Sequence, residues 1–286
     1  MPSFDTPEPI DVEIDLLVAS VTVTAEDRDT TEVTVAPADP GNESDVEAAE
    51  QTKVALSKGT LTVKGPAFHK YMGWKNKSRA VTLAIALPSG SGLSGFGIGS
   101  VASLDATGRL GACEIRSGMG NVRIERADRL KLNAGGDILV DQVDGDAHLT
   151  TSMGKLRLGR AAGSVKLKNS QGPCTVDEVG GNARVRTSMG DIAIGRVDGD
   201  VDAASAQGTV RVEEMTRGTA ELKTSLGSID VGVGEGTAAW LDVHAAAGAV
   251  NSHLENSGEP GPEDPVVSVK ARTSYGDITI RRTEHQ

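Results

Sequence analysis

Six residues, Gly90-Ser91-Gly92-Leu93-Ser94-Gly95, reproduce the glycine spacing that cradles a dinucleotide pyrophosphate, and they follow an apolar run closed by Pro88. That chemistry needs a helix to begin at this point, so that its free amides face the phosphates. The chain continues instead with Phe96-Gly97-Ile98-Gly99-Ser100, which reads as no helix, so the match is set aside. Serines crowd tetrads such as Thr151-Ser152-Met153-Gly154 and Thr187-Ser188-Met189-Gly190, yet no Gly-x-Ser-x-Gly elbow with a paired base is present. Asp137, Asp191 and Asp277 each follow a glycine and suggest calcium. The dense ligand nonapeptide of calcium β-rolls is missing, so they read as turn or strand-edge residues. His69, His148, His244, His253 and His285 share no ligand spacing. Cys113 and Cys174 have neither metal nor redox spacing. Each lies two residues after a glycine at a predicted inward position, where a thiol acts as a small hydrophobe. No cofactor, metal or catalytic residue is assigned.

Two surface features remain as candidates for binding. The segment with Phe68, His69, Lys70, Tyr71, Trp74, Lys75, Lys77 and Arg79 is aromatic and basic within an acidic chain, which suits an anionic or flat partner. The alternative is a hairpin loop whose aromatics cover an open end of the fold. The second feature is a basic stripe, Lys155, Arg157, Arg160, Lys166, Lys168, Arg184 and Arg186, opposed between 155 and 186 only by Asp177 and Glu178. Such a stripe suits a phosphate-rich polymer or anionic lipid, or is merely a solvated face.

The elements that must carry these residues repeat. Counted glycine to glycine, the chain steps through Gly120, Gly136, Gly154, Gly172, Gly190, Gly208, Gly227, Gly248 and Gly276. Apolar residues recur two and four places after each glycine (Leu156 and Leu158, Ile192 and Ile194, Ile278 and Ile280) and seven and five places before it (Val165 and Leu167, Ala183 and Val185). Each unit is therefore two short alternating strands joined by glycine-containing corners. With no helical pattern between them, the prediction is an all-β fold: a parallel β-helix-like β-solenoid of ~18-residue units. Thr-Ser-Met/Leu/Tyr-Gly alternates with Asn/Ser/Ala-Ser/Ala-Gln/Ala-Gly, so like stacked on like would place two units in each rung. Met153, Met189, Leu226 and Tyr275 would then form one ladder.

Residues 1–100 read as a β-rich cap and 101–286 as the repeat solenoid. The cap shows strands at 10–25 and 32–35, a short helix near 43–52, a hairpin about Ser57-Lys58-Gly59 and a strand over Ala80–Leu87. The last step contains a proline-rich acidic insertion, 252–265.

Formal charge is −11, which argues against general nucleic-acid binding. Aromatic residues are 2% of the chain, a thin platform for sugars, and this weighs against a polysaccharide-active enzyme. No apolar run reaches the ~20 residues of a membrane span, and the start shows no secretory leader, which predicts a cytoplasmic, non-transmembrane protein.

The opening Phe4-Asp5-Thr6-Pro7-Glu8-Pro9-Ile10, the strand exit Ile85-Ala86-Leu87-Pro88, the glycine-punctuated units and the end Ala271-Arg272-Thr273-Ser274-Tyr275-Gly276-Asp277-Ile278-Thr279-Ile280 resemble a bacterial β-strand-repeat, putative-adhesin family, a domain of unknown function. The likeness covers nearly the whole chain and is nearest to cytoplasmic actinobacterial members. It implies an all-β, solenoid-like fold and carries over no catalytic or binding residues. The expected role is non-enzymatic: an interaction or scaffold surface for another protein or for an anionic polymer or surface. A self-assembling structural protein is the alternative, and the expected state is a monomer or weak self-associate. Unpaired strand edges at solenoid ends would drive assembly. The charged finish Arg281-Arg282-Thr283-Glu284-His285-Gln286 argues against this at the C-terminal end.

Overall fold

A computed structural model of the chain describes residues 2–66, 79–96, 100–254 and 265–283. The fold is an all-β solenoid carrying one helix, and the chain divides into two compact units, Met1–Gln142 and Val143–Gln286.

In the first unit, parallel ladders already run through the first hundred residues. Asp11–Asp15 lies parallel to both Thr60–Lys64 and Gly92–Gly95, and Val18–Glu26 lies parallel to both Val81–Pro88 and Val101–Arg116. Val101–Arg116 contributes to both sheets, pairing with Val18–Glu26 at its start and with Gly92–Gly95 near its end. Antiparallel strands close the stack: Lys53–Ser57 on Thr60–Lys64, and Thr30–Pro37 on Val81–Pro88 with Ser3–Asp5 beyond it. The predicted hairpin and helix are both present. Asn42 caps the helix Glu43–Gln51, its side chain accepting from the Ser44 amide. Buried Asp45 ties the helix down by accepting the Ala80 amide at 2.9 Å.

In the second unit each rung is one repeat. Ala183–Met189 pairs with Val165–Gln171 on one side and Val201–Gln207 on the other, always eighteen residues away. The partner sheet stacks Leu156–Ala161, Cys174–Val179, Ile192–Val197 and Val210–Met215 in the same way. This overturns the expected two-unit rung. Ladder hydrogen bonds join backbones, which are identical in both repeat variants, so like need not stack on like. The large-residue ladder is accordingly interleaved: Met153, Gln171, Met189, Gln207, Leu226 and Tyr275 follow one another. Inward positions form dry columns such as Leu156, Cys174, Ile192, Val210, Ile229 and Ile278, each 1% exposed or less.

The rung order departs from chain order at the end. Val266–Tyr275 pairs with Gly218–Leu226 and also with Ala238–Ala247, and Ile278–Thr283 pairs with Ile229–Gly234 and with Val250–Ser252. The last repeat in sequence therefore lies between the two before it. The terminal rung of this unit is Ala238–Ser252, not the charged finish of the chain. Arg281 fixes the inserted rung from outside, bonding Asp230 at 3.0 Å and Glu213 at 2.6 Å.

Buried hydroxyls bind successive rungs. Ser205 donates to the Gly190 carbonyl at 3.0 Å, Thr224 to Gly208 at 2.9 Å and Thr273 to Gly227 at 2.9 Å. Thr187 stands in the same column, yet its buried Oγ1 has no partner. The carbonyl it would use, that of Gly172, already accepts from the Asn169 amide at 3.0 Å. Thr224→Val should cost about 1–2 kcal/mol, whereas Thr187→Val should be near neutral or stabilising. Urea unfolding of the two variants checks this. Gly190 has φ +145°, and a Cβ there would meet the Gly172 carbonyl oxygen at 2.1 Å. Gly190→Ala should lose roughly 2–4 kcal/mol in the same assay.

Candidate functional site

Outward positions of the first sheet of the second unit form rows, because every strand is in register with its neighbours. One row reads Thr150, Lys168, Arg186, Ala204, Lys223, Arg272, His244. The row beside it reads His148, Lys166, Arg184, Asp202, Glu221, Lys270, Asp242. Neighbours within a row are about 4.8 Å apart across the strands, and alternate residues along one strand about 6.6 Å apart. Lys166, Lys168, Arg184 and Arg186 thus form a two-by-two block of cations on two adjacent strands.

The acids of the second row temper this block on one side. Arg184 bonds Asp202 at 3.0 Å, and Arg186 grips the same carboxylate with two bonds of 2.6 Å while also donating to the Asp202 carbonyl at 2.9 Å. Further along, Arg272 forks onto Asp242 with two bonds of 2.8 Å. The Lys223 ammonium hydrogen-bonds Glu221 and holds its carboxyl below the ordinary range. Among the described residues, Lys166 and Lys168 have no ion-pair partner within 4.0 Å. The remainder of the predicted stripe faces elsewhere. Arg157 and Arg160 lie on the second sheet, paired with Asp177 at 2.8 Å and Glu178 at 3.5 Å, and Lys155 sits at the corner before that strand. Of the aromatic segment, His69, Lys70, Tyr71, Trp74 and Lys75 lie outside the described residues.

Beyond Arg186 the first row borders a shallow groove of about 520 Å³, lined by Arg186, Lys223, Arg272, His244, Ser225 and Ser274. Lys223 and Arg272 extend the cation row, with the His244 imidazole at its end, and none of the three belongs to the basic run of the sequence. A signal for them exists, since Lys168, Arg186, Lys223, His244 and Arg272 all stand four residues before a repeat glycine. The insertion after Ser252 hides that Arg272 comes between Lys223 and His244 in space.

The acids once considered for calcium act within the corners. Asp191 accepts the Thr209 amide at 2.7 Å and Asp277 the Ala249 amide at 2.8 Å, each tying its rung to the next. At Asp137 the backbone amide instead donates to the Asn121 side-chain oxygen at 2.9 Å. Among the described residues, no group of three or more His, Cys, Asp or Glu is placed to hold a metal ion. The residues of the dinucleotide-like glycine pattern form the strand Gly92–Gly95 and no helix. Cys113 and Cys174 are free and buried, and burial pushes both thiols up to about 12.

A family model described as Toastrack DUF4097 matches residues 11–283. Comparison with curated proteins found no match. Among solved structures, a putative adhesin from Bacteroides fragilis is 13% identical, with 99% of this chain and 95% of that one covered and a TM-score of 0.40. A putative cell adhesion protein from Clostridium sporogenes is 13% identical, with coverage of 99% and 98% and a TM-score of 0.23. A putative lipid binding protein from Parabacteroides distasonis is 11% identical, with coverage of 99% and 96% and a TM-score of 0.31. No residue correspondence follows from values this low. Among the described residues no helix is long and apolar enough to cross a membrane.

The burial of both thiols has a direct chemical readout. At pH 8 a thiol-reactive chromogen should find no reactive thiol in the native protein and two after unfolding. Unfolded thiols release protons from about pH 9, while the folded ones keep theirs toward about 12. Over that window the unfolded state binds fewer protons, so this contribution to stability falls as pH rises. Replacing both cysteines by alanine should flatten that part of a stability–pH curve.

Proposed function

We propose that this chain, which belongs to the Toastrack DUF4097 family, is a non-enzymatic interaction protein whose outer solenoid face binds an anionic polymer or surface. One observation carries the reading: ladder register places Lys166 beside Arg184 and Lys168 beside Arg186, and beyond Ala204 the same row resumes with Lys223 and Arg272. A flat lattice of cations at rung spacing meets a partner whose negative charges also repeat, and it offers no enclosed pocket for a small substrate. The formal charge of −11 excludes a bulk electrostatic cause, so affinity must come from this local inversion. The cytoplasm is the proposed location, and two free buried thiols with no disulfide between them suit a reducing compartment.

Binding to liposomes containing anionic lipid, or to polyphosphate, should weaken steeply with salt, as cation–anion contacts do. The fourfold variant Lys166→Glu, Lys168→Glu, Arg184→Glu, Arg186→Glu should lose at least tenfold in affinity. The variant also removes the Arg184 and Arg186 bonds to Asp202 and sets like charges opposite one another across the strands, so its unfolding midpoint should fall. Binding is compared at a temperature where circular dichroism shows both proteins folded. Equal binding by parent and variant would end this reading.

A further inference from the structure

The terminal rung of the second unit, Ala238–Ser252, is built like the others but ends the stack. Ala238–Ala247 pairs with Val266–Tyr275, and Val250–Ser252 pairs with Ile278–Thr283. Among the described residues no strand occupies the other edge of either. Its inward positions are consequently open. Leu241 is 38% exposed and Val250 46%, whereas Val269 and Ile278 in the neighbouring rung are fully buried. Trp240, on the outward side, is 60% exposed.

A bare edge of this kind invites pairing, and proteins usually blunt it with lysine, proline, a bulge or a covering element. The first unit does so with antiparallel strands and a helix. Between Ala238 and Ser252 there is no lysine, arginine or proline. The one acid, Asp242, is already neutralised by Arg272. An edge of ten residues is about 33 Å long, enough for on the order of eight main-chain hydrogen bonds to an opposing strand.

The sequence of this edge identifies what fits it. Laid antiparallel against itself about Val243, it pairs Asp242 with His244, Leu241 with Ala245, Trp240 with Ala246 and Ala239 with Ala247. Every inward side chain then meets an inward one and every outward one an outward one. The acid meets the imidazole, and the indole lies over alanine, which leaves room for it. We infer that the Ala238–Ser252 rung is a homodimerisation edge, on which a second copy of this chain stacks head to head about a twofold axis through Val243. Such a contact is isologous and uses up the edge, so assembly through it stops at two.

Sedimentation of the full chain from micromolar to sub-millimolar concentration tests the inference, with a reversible monomer–dimer equilibrium as the expected result. His244→Asp sets carboxylates opposite one another and should weaken the dimer at least tenfold, while His244→Asn, still a hydrogen-bond donor to Asp242, should retain it. Val243→Cys should cross-link two copies under mild oxidation. Trp240→Cys should not, because its two copies would stand six residues apart along the paired strands, about 20 Å. A strict monomer throughout, equal dimerisation by the two His244 variants, or equal cross-linking by the two cysteine variants would each overturn it.

Discussion

The second unit depends on one close approach. At each repeat glycine the carbonyl oxygen of the glycine one rung below stands where a Cβ would be. The separation is 2.1 Å at Gly172 and Gly190 and 2.2 Å at Gly208, Gly227 and Gly276. These residues also hold φ between +120° and +148°, where a side chain is strained regardless of space. The glycine column is therefore a line along which successive rungs meet too closely for any side chain. The same contact runs from Gly227 to Gly276 and from Gly276 to Gly248, so it reports the displaced last repeat as faithfully as the hydrogen-bond ladders do.

Much of this was legible in the residues, because inward and outward positions alternate along each strand and the period breaks only near its end, as from Leu158 to Ala161 and from Ile194 to Val197. The inward pairs Leu156 and Leu158, or Ile192 and Ile194, are buried where the pattern put them. The hairpin at Lys58-Gly59 and the helix capped by Asn42 also follow local signals. The rung period was harder, since residue likeness at thirty-six spacing competes with a backbone that stacks at eighteen. Rung order could not be read at all. Gly227, Gly248 and Gly276 close equivalent motifs, and only long-range pairing of Val266–Tyr275 with two strands decides which lies between.

The candidate site shows the same division. Lys166, Lys168, Arg184 and Arg186 were recognisable because they occupy equivalent places in successive repeats. Arg157 and Arg160 belonged to the same run of sequence but follow the glycine, which puts them on the other sheet beside Asp177 and Glu178. A stripe along a solenoid sequence is thus two faces in space. Which face keeps its charge depends on the next rung, and eighteen residues on from Arg184 the partner is Asp202. Surface pairs of this kind contribute little to stability, which leaves the cations available to an incoming anion at small cost.

Edge and face are coupled by the symmetry that the terminal rung favours. A twofold axis perpendicular to the sheet keeps inward side chains inward, so the outward rows of both copies lie on one side. In the register that sets His244 against Asp242, the row ending in Lys223, Arg272 and His244 would meet the second copy's row of Asp242, Lys270 and Glu221. The second copy's own Arg272 row would run beside it, two residues along the strands. A rung of eighteen residues adds at most one cation to such a row, and a single copy holds few that are free of acids. Doubling the row converts a second weak contact into an intramolecular one, and its gain depends on spacing rather than on new chemistry. For a protein with so little aromatic or enclosed surface, that arithmetic is the physical route from a rigid repeat to useful affinity.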